Sequence, residues 1–332
     1  MPSQKNDRLC ALDLFAGAGG ISTGLTQAGI DVKYKVDINK TACCTLLINS
    51  TAGSHVFCED IAKFKEGCEI QRASIYPSRG EAGYIHGSPP CQGVSAVNTS
   101  GGANDQQNND CTLKYVEVVQ LLQPTFVSME NVPGLGMEKN IKYLLRVVGG
   151  LLGCGMQVRT CTVVASHFGD AQDRPRLLVL ASKRGFKLPV LKSTHGGPGR
   201  LNIVTARDAL LSLEDVEPVL GQGLVDLPNN GGHVFDHNKE STELTEQYDS
   251  QYLLSANLPA NTVRKGNQIR HYKHDRYITA RERARLQSFP DSHRFAGTRQ
   301  EMFDQIGNAV PCGLAAAIGR AVMESYQLGR HV

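Results

Sequence analysis

At 332 residues and 41% hydrophobic content, the chain is long enough for one large or two medium domains and has the composition of an ordinary soluble globule. The first eight residues are polar and charged, and no apolar run approaches the ~18 residues of a membrane span, so a soluble, monomeric, intracellular protein without a membrane partner is expected. A net charge of +3 excludes little, and ten cysteines with no C-x-x-C pair argue for reduced thiols rather than zinc or a disulfide scaffold.

In chain order, residues 9–14 form a short apolar strand that runs into Asp13-Leu14-Phe15-Ala16-Gly17-Ala18-Gly19-Gly20, and a helical pattern (Ile21, Leu25, Ala28) follows and stops at Gly29. Strand, glycine turn and helix open a nucleotide-binding βαβ unit. The spacing is not the dinucleotide G-x-G-x-x-G, and no Gly-Lys-Ser/Thr occurs, which disfavours dinucleotides and triphosphates. A second strand (Val32, Tyr34, Val36) ends at Asp37, twenty residues past Gly17, where such folds put an acid on a ribose hydroxyl pair. Adenosine without phosphates fits, although the glycines alone are equally served by a tight turn. Asn39 can cap a helix over 41–48, and 56–61 read as a third strand closing with Asp60. That carboxylate can accept from an adenine amino group, or it can simply cap a helix.

Residues 83–86 are a strand that leads into Gly87-Ser88-Pro89-Pro90-Cys91-Gln92-Gly93-Val94-Ser95. The prolines hold φ at about −65° and keep the residue before them extended, so the chain leaves the strand in one direction and the thiol is aimed. Residues 93–110, rich in Gly, Asn and Gln, have little to pack and read as a loop. A helix over 112–122 and a strand over 125–129 then deliver Glu130-Asn131-Val132-Pro133 to the same edge as Cys91, one strand over. A helix (141–152), a strand (157–165), Gln172-Asp173-Arg174-Pro175-Arg176 and an apolar strand (177–181) follow. Strands alternating with helices imply an α/β, doubly wound, mainly parallel sheet. From about 188 to 260 the chain is rich in Gly, Pro and Asn and suits a smaller irregular domain. His233 and His237 lack a metalloprotease signature, so no metal is expected. Residues 255–300 carry ten Lys/Arg against three Asp/Glu, which suggests a basic face for a polyanion, and 281–286 and 309–326 read as helices.

With Cys91, Glu130, Arg174 and Arg176 in view, the sequence resembles the cytosine-C5 methyltransferases of DNA. The likeness rests on ordered motifs: Asp13 to Gly20, Asp37 and Asp60, Pro89-Pro90-Cys91-Gln92, Glu130-Asn131-Val132, Gln172 to Arg176, Arg281 through Phe289-Pro290-Asp291, and Gln305-Ile306-Gly307-Asn308-Ala309-Val310-Pro311. It covers 9–186 and 258–326. The resemblance implies a Rossmann-like catalytic domain (1–187) binding S-adenosylmethionine, which leaves as S-adenosylhomocysteine, a target-recognition domain (188–257), and a basic segment with a C-terminal helix returning to the catalytic domain (258–332). The cofactor would lie against Phe15, Gly17, Ala18, Gly19, Gly20, Asp37, Ile38, Asp60, Ile61, Pro89, Asn308, Ala309 and Val310. Cys91, Glu130, Arg174 and Arg176 would act on a cytosine flipped out of double-stranded DNA, with 93–110 as the lid.

Departures from the family pattern are Asp37 for a commoner Glu, Ile38 where a Trp often stacks, Asp110 near a frequent arginine, and a short recognition region. A tRNA methyltransferase would use the same chemistry, but that branch carries Pro-Phe-Thr or similar after Cys-Gln, whereas this chain has Gly93-Val94-Ser95. A non-catalytic DNA-binding relative would have lost motif residues that are all present here. Localisation would follow the host: nucleus in a eukaryote, cytoplasm in a prokaryote.

Overall fold

The structure is a computed structural model that describes residues 8–90, 105–213 and 252–329. Strand β1 (Cys10–Leu14) passes through a glycine turn into helix α1 (Gly20–Gln27), and β2 (Asp31–Asp37), α2 (Lys40–Ile48), β3 (His55–Cys58) and α3 (Ile61–Glu69) repeat the unit. Then come β4 (Tyr84–Gly87), α4 (Asp105–Leu122), β5 (Phe126–Asn131), α5 (Ile141–Gly153), β6 (Met156–Val164), the short β7 (Gln172–Asp173) and β8 (Pro175–Lys183). The seven-stranded sheet has the order β3-β2-β1-β4-β5-β8-β6; its first five strands are parallel and β8 runs antiparallel to both neighbours. The expected doubly wound, mainly parallel fold is therefore present.

Alternation along the strands sorts the two faces. Leu12, Leu14, Ile85, Val127, Met129 and Val179 face a core with α3, α4 and α5, while Ala11, Tyr84, Phe126, Leu178 and Leu180 face one with α1 and the C-terminal helix. Lys35, Asp13, His86 and Ser128 are register partners in turn across β2, β1, β4 and β5, and all four are buried. A polar row thus crosses the sheet near its C-terminal edge. The imidazole of His86 lies 2.7 Å from Ser128 Oγ through Nδ1 and 2.9 Å from Ser88 Oγ through Nε2, and the hydroxyls of Tyr84 and Ser128 are 2.5 Å apart.

Beyond the sheet are α6 (Ala206–Leu210), β9 (Ala260–Asn261), which pairs with β7, α7 (Ala280–Leu286), α8 (Arg299–Asn308) and α9 (Cys312–Gly329). Helix α9 packs along α1 at very close range: a Cβ on Gly24 would sit 2.4 Å from Ala315 Cβ and 2.5 Å from the Cys312 carbonyl oxygen. Asp170 caps α9 by accepting from the N–H groups of Gly313 (2.9 Å) and Leu314 (2.8 Å). An 18-residue window here is apolar enough to cross a membrane by composition, contrary to the sequence reading, but 78% of it is buried inside the protein, as in a core helix.

Several expectations change. The third strand stops at Cys58, and Asp60 caps α3, with its side chain accepting from Ala62 N at 2.7 Å. The helix expected over 309–326 begins only at Cys312, after Pro311 forces the residue before it out of helical geometry, and a separate helix, α8, that the sequence reading did not include precedes it. Residues 105–110 of the expected loop belong to α4, and 91–104 lie outside the described residues, as do 214–251 with most of the expected recognition domain, His233 and His237. Among the described residues there is no metal-binding cluster. The basic segment is also less of a face than its composition suggests, since only Arg264, Lys265, Lys273 and Arg294 of its ten cations are exposed. Arg281 and Arg283 are buried and donate to backbone carbonyls, and Arg276 forms a two-pronged pair with Glu282.

Two tests follow from this packing. Gly24→Ala should destabilise the protein by about 1–2 kcal/mol in urea denaturation, the clash with α9 outweighing the gain in helix propensity. Burial holds His86 down at about 3, against 6.5 for an unfolded histidine. Both states are neutral above pH 6.5; below it only the unfolded chain takes the proton, so this group's contribution falls as pH falls. The stability gap between wild type and His86→Asn should therefore narrow by about 1.4 kcal/mol per pH unit below 6.5.

Candidate active site

The parallel strands β1 to β5 end at one edge of the sheet, and Phe15, Asp37, Pro89 and Glu130 follow or end those strands there. β4 leads to Ser88, Pro89 and Pro90, the last described residues before Cys91, which itself lies outside the described set. Gly87 allows this exit, because a Cβ there would lie 2.5 Å from the ring of Tyr115, which donates from its hydroxyl to the Ser128 carbonyl. Two hydrogen bonds pin the segment's backbone from either side: Ser88 N donates to the Leu14 carbonyl of β1 (3.2 Å), and the Asn131 side chain donates from Nδ2 to the Pro89 carbonyl (3.1 Å).

Glu130 stands at the end of β5, next to Met129, the register partner of Gly87. Opposite it, antiparallel β8 begins with Pro175 and Arg176, and the Arg176 Nε lies 2.5 Å from Glu130 Oε1. Glu130 pairs in register with Leu178, so Arg176 is its diagonal neighbour on the same face. Both side chains are over 90% buried, where a charge is costly unless paired. The two arginines diverge. Arg174 sends Nη1 to the Val263 carbonyl (2.5 Å) and Nη2 to the Gly307 carbonyl (2.9 Å), tying the sheet to the C-terminal segment rather than joining Glu130.

At the neighbouring strand ends the backbone turns sharply, with positive φ at Phe15 (59°), Gly17 (53°) and Gly19 (82°). Asp37 accepts from the N–H of Gly17 and of Asn39, each at 2.8 Å, which ties the end of β2 to this turn. Burial pushes its carboxyl above the ordinary range against these hydrogen bonds. A Cβ on Gly17 would meet nothing within 4 Å, so the turn faces open space beside Asp37; Ile38 is exposed and Asp60 partly exposed just past the ends of β2 and β3. Gly20, Ala18, Ala309 and Val310 are closely packed: a Cβ on Gly20 would sit 2.2 Å from the Val310 carbonyl oxygen, and the other three are buried. Ile61 is buried at the start of α3, and Asn308 is exposed.

Sequence reasoning passed over His86 and His293. The latter, buried in the 289–295 loop, bonds the Ala18 carbonyl through Nε2 at 2.9 Å and so supports the glycine turn from the far end of the chain. A single histidine in a loop carries no local signal of such a contact.

A family model for C-5 cytosine-specific DNA methylases matches residues 9–324. The chain is 30% identical to the type II methyltransferase M.XorII of Xanthomonas oryzae, over 96% of this chain and 86% of that protein. It is 27% identical to M1.HphI of Haemophilus parahaemolyticus, over 95% and 87%. Among solved structures, a prophage-encoded DNA modification methyltransferase of E. coli superposes with a TM-score of 0.77 at 27% identity, covering 96% of this chain and 99% of that one. The S. pombe Dnmt2 methyltransferase shares the fold, with a TM-score of 0.65 at 19% identity over 96% and 99%. With a sheet edge that gathers the Pro89-Pro90 exit, a buried Glu-Arg pair and an open glycine turn, and a family match over nearly its whole length, the chain belongs to the C-5 cytosine-specific DNA methylases and is a DNA (cytosine-5)-methyltransferase.

Proposed function

We propose that Cys91 is the nucleophile of this methyl transfer, that Glu130 and Arg176 hold the cytosine, and that the crevice at Phe15, Gly17, Asp37, Ile38 and Asp60 takes S-adenosylmethionine. The observation that carries the proposal is the buried 2.5 Å contact between Arg176 and Glu130, one strand from the chain leading to Cys91. Such a pair suits a polar ring that must be held in a site shielded from water.

Carbon-5 of cytosine is a weak nucleophile until something adds at C6. The Cys91 thiolate forms a bond to C6, and the electron pair displaced from the ring moves toward N3. Glu130, sharing a proton with N3, offsets the charge that arrives there. Arg176 stays protonated and presents a rigid fork, with Nε on Glu130 and Nη1 donating to the Pro175 carbonyl at 2.7 Å, so Nη2 is suited to the cytosine O2. Bound S-adenosylmethionine supplies the electrophilic methyl group to C5. Loss of the C5 proton then lets the Cys91–C6 bond break, returning the thiolate. Arg174 acts at one remove, by holding the segment around Val263 and Gly307 against the sheet.

The crevice offers acceptors and apolar contacts that suit an adenosine. Asp37 and Asp60 are carboxylates at the ends of β2 and β3, suited to ribose hydroxyls and an adenine amino group, and Ile38 and Phe15 offer apolar contact. A thiol at a sheet edge cannot reach a base stacked inside a duplex, so double-stranded DNA must release its cytosine at a cost of a few kcal/mol. Residues 188–257 are suited to reading the target, and the work takes place wherever the host keeps its DNA.

Three outcomes test this. Cys91→Ala should abolish methylation of duplex DNA and the covalent adduct with a 5-fluorocytosine duplex, while Glu130→Gln should lower kcat by about a hundred- to ten-thousandfold. Methylation of tRNA with none of DNA would reject the substrate. Asp37→Ala should weaken S-adenosylhomocysteine binding, measured by calorimetry, by about ten- to a hundredfold; unchanged affinity would remove Asp37 from the cofactor site.

A further inference from the structure

The buried polar residues on β4 and β5 sit on the same sheet face as Glu130 and end at the segment that leads to Cys91. Ser128 and Glu130 are two residues apart on β5, and Tyr84, His86 and Ser88 alternate along β4 and its exit. The links run Tyr84 Oη to Ser128 Oγ (2.5 Å), Ser128 Oγ to His86 Nδ1 (2.7 Å) and His86 Nε2 to Ser88 Oγ (2.9 Å). Tyr84, His86 and Ser128 are fully buried, and Ser88 is half-buried at the rim.

Proton counting gives this chain a direction. A neutral imidazole has one donor and one acceptor, and each hydroxyl has one proton. If Ser128 donated to Tyr84, the tyrosine's own proton would have no acceptor among the described residues, which is costly for a buried hydroxyl. With Tyr84 donating to Ser128 and Ser128 donating to Nδ1, every buried group is satisfied and Nε2–H donates to Ser88. Burial keeps His86 neutral throughout the physiological range, so the direction does not reverse there. The neighbouring titratable groups have hydrogen-bond partners of their own: Asp13, the register partner of His86 on β1, is engaged by the Ser22 hydroxyl at 2.6 Å, and Lys35 by the Val32 carbonyl and Ser50.

We propose that Tyr84, Ser128 and His86 form a directed hydrogen-bond chain whose function is to hold Ser88 by a donated Nε2–H, so that the Pro89-Pro90 turn presents Cys91 for attack. His86 and Ser88 are thus positioning residues. With Leu14 on the Ser88 N–H and Asn131 on the Pro89 carbonyl, the chain supplies the third restraint on the exit from β4 and the only side-chain hold on Ser88 among the described residues. Such over-determination matters because a small misplacement of a reacting group is strongly amplified in rate.

The inference rests on Cys91 being the nucleophile, and the test separates the two. In single turnover with the full chain and a 5-fluorocytosine duplex, Ser88→Ala should slow covalent adduct formation by about tenfold, the loss of one hydrogen bond at the reacting geometry. Its S-adenosylhomocysteine affinity should match wild type, and its melting temperature should fall by only a few degrees, the effect of leaving the His86 Nε2–H without its acceptor. The His86→Asn/Ser88→Ala double variant should be no slower than His86→Asn alone, because both break one chain. Nitrogen-15 spectra should show His86 protonated on Nε2 at pH 7. A wild-type adduct rate in Ser88→Ala, multiplicative losses in the double variant, or protonation on Nδ1 would overturn the chain while leaving Cys91 in place, provided that Cys91→Ala forms no adduct. An adduct formed by Cys91→Ala would overturn both.

Discussion

One strand running against the others makes this site possible. In a wholly parallel sheet every strand would bring its C-terminal end to the working edge, and a residue at the start of a strand would lie at the far side. β8 is antiparallel, so Pro175 and Arg176, at its beginning, arrive beside the end of β5. The guanidinium therefore meets Glu130 without leaving regular structure, and both side chains are held by ladder hydrogen bonds rather than by a loop. Such placement suits a buried ion pair, whose worth depends on geometry good enough to offset the loss of water.

The same edge is closed from the opposite end of the chain. α9 lies against α1 because Gly24 leaves room for its backbone, and Gly20 does the same for the Val310 carbonyl. Asp170 caps α9, Arg174 reaches the carbonyls of Val263 and Gly307, and His293 bonds the Ala18 carbonyl. Residues nearly three hundred positions apart thus support the turn that faces the crevice. Much of the positive charge between 255 and 300 belongs to this construction. Buried guanidiniums satisfy carbonyls in a segment with little regular structure to pair them, which is work that Arg's five-donor fork does better than Lys's point charge.

Beneath the edge, a polar row takes the place of the apolar residues usual in a parallel sheet covered on both faces. Lys35, Asp13, His86 and Ser128 occupy successive strands at one level. Burial raises the Asp13 carboxyl to about 7 and lowers the Lys35 amine, so both groups are drawn toward their neutral forms. Such a row gives up some apolar packing; its bonds across strands, from Tyr84 and His86 of β4 to Ser128 of β5, would both break if that register slipped.

The order of strands and helices, the parallel sheet, the glycine turn with Asp37 at its distance, and Glu130 one strand from the Cys91 segment were legible in the linear pattern, because periodicity, glycine and proline act locally. Local signals were also available for two features misread there: Ile61, Phe64 and Cys68 recur at helical spacing in α3, and Pro311 marks the break before α9. Other decisions were made only by the fold. Composition could not say which arginines of 255–300 face water, nor that Arg174 and Arg176, two residues apart, would serve different partners. Tyr84, His86, Ser88 and Ser128 look in the sequence like scattered polar residues in apolar strands. Their connection depends on which strands lie side by side and in what register, and hydrogen bonds across a sheet join residues whose separation along the chain carries no trace of the contact.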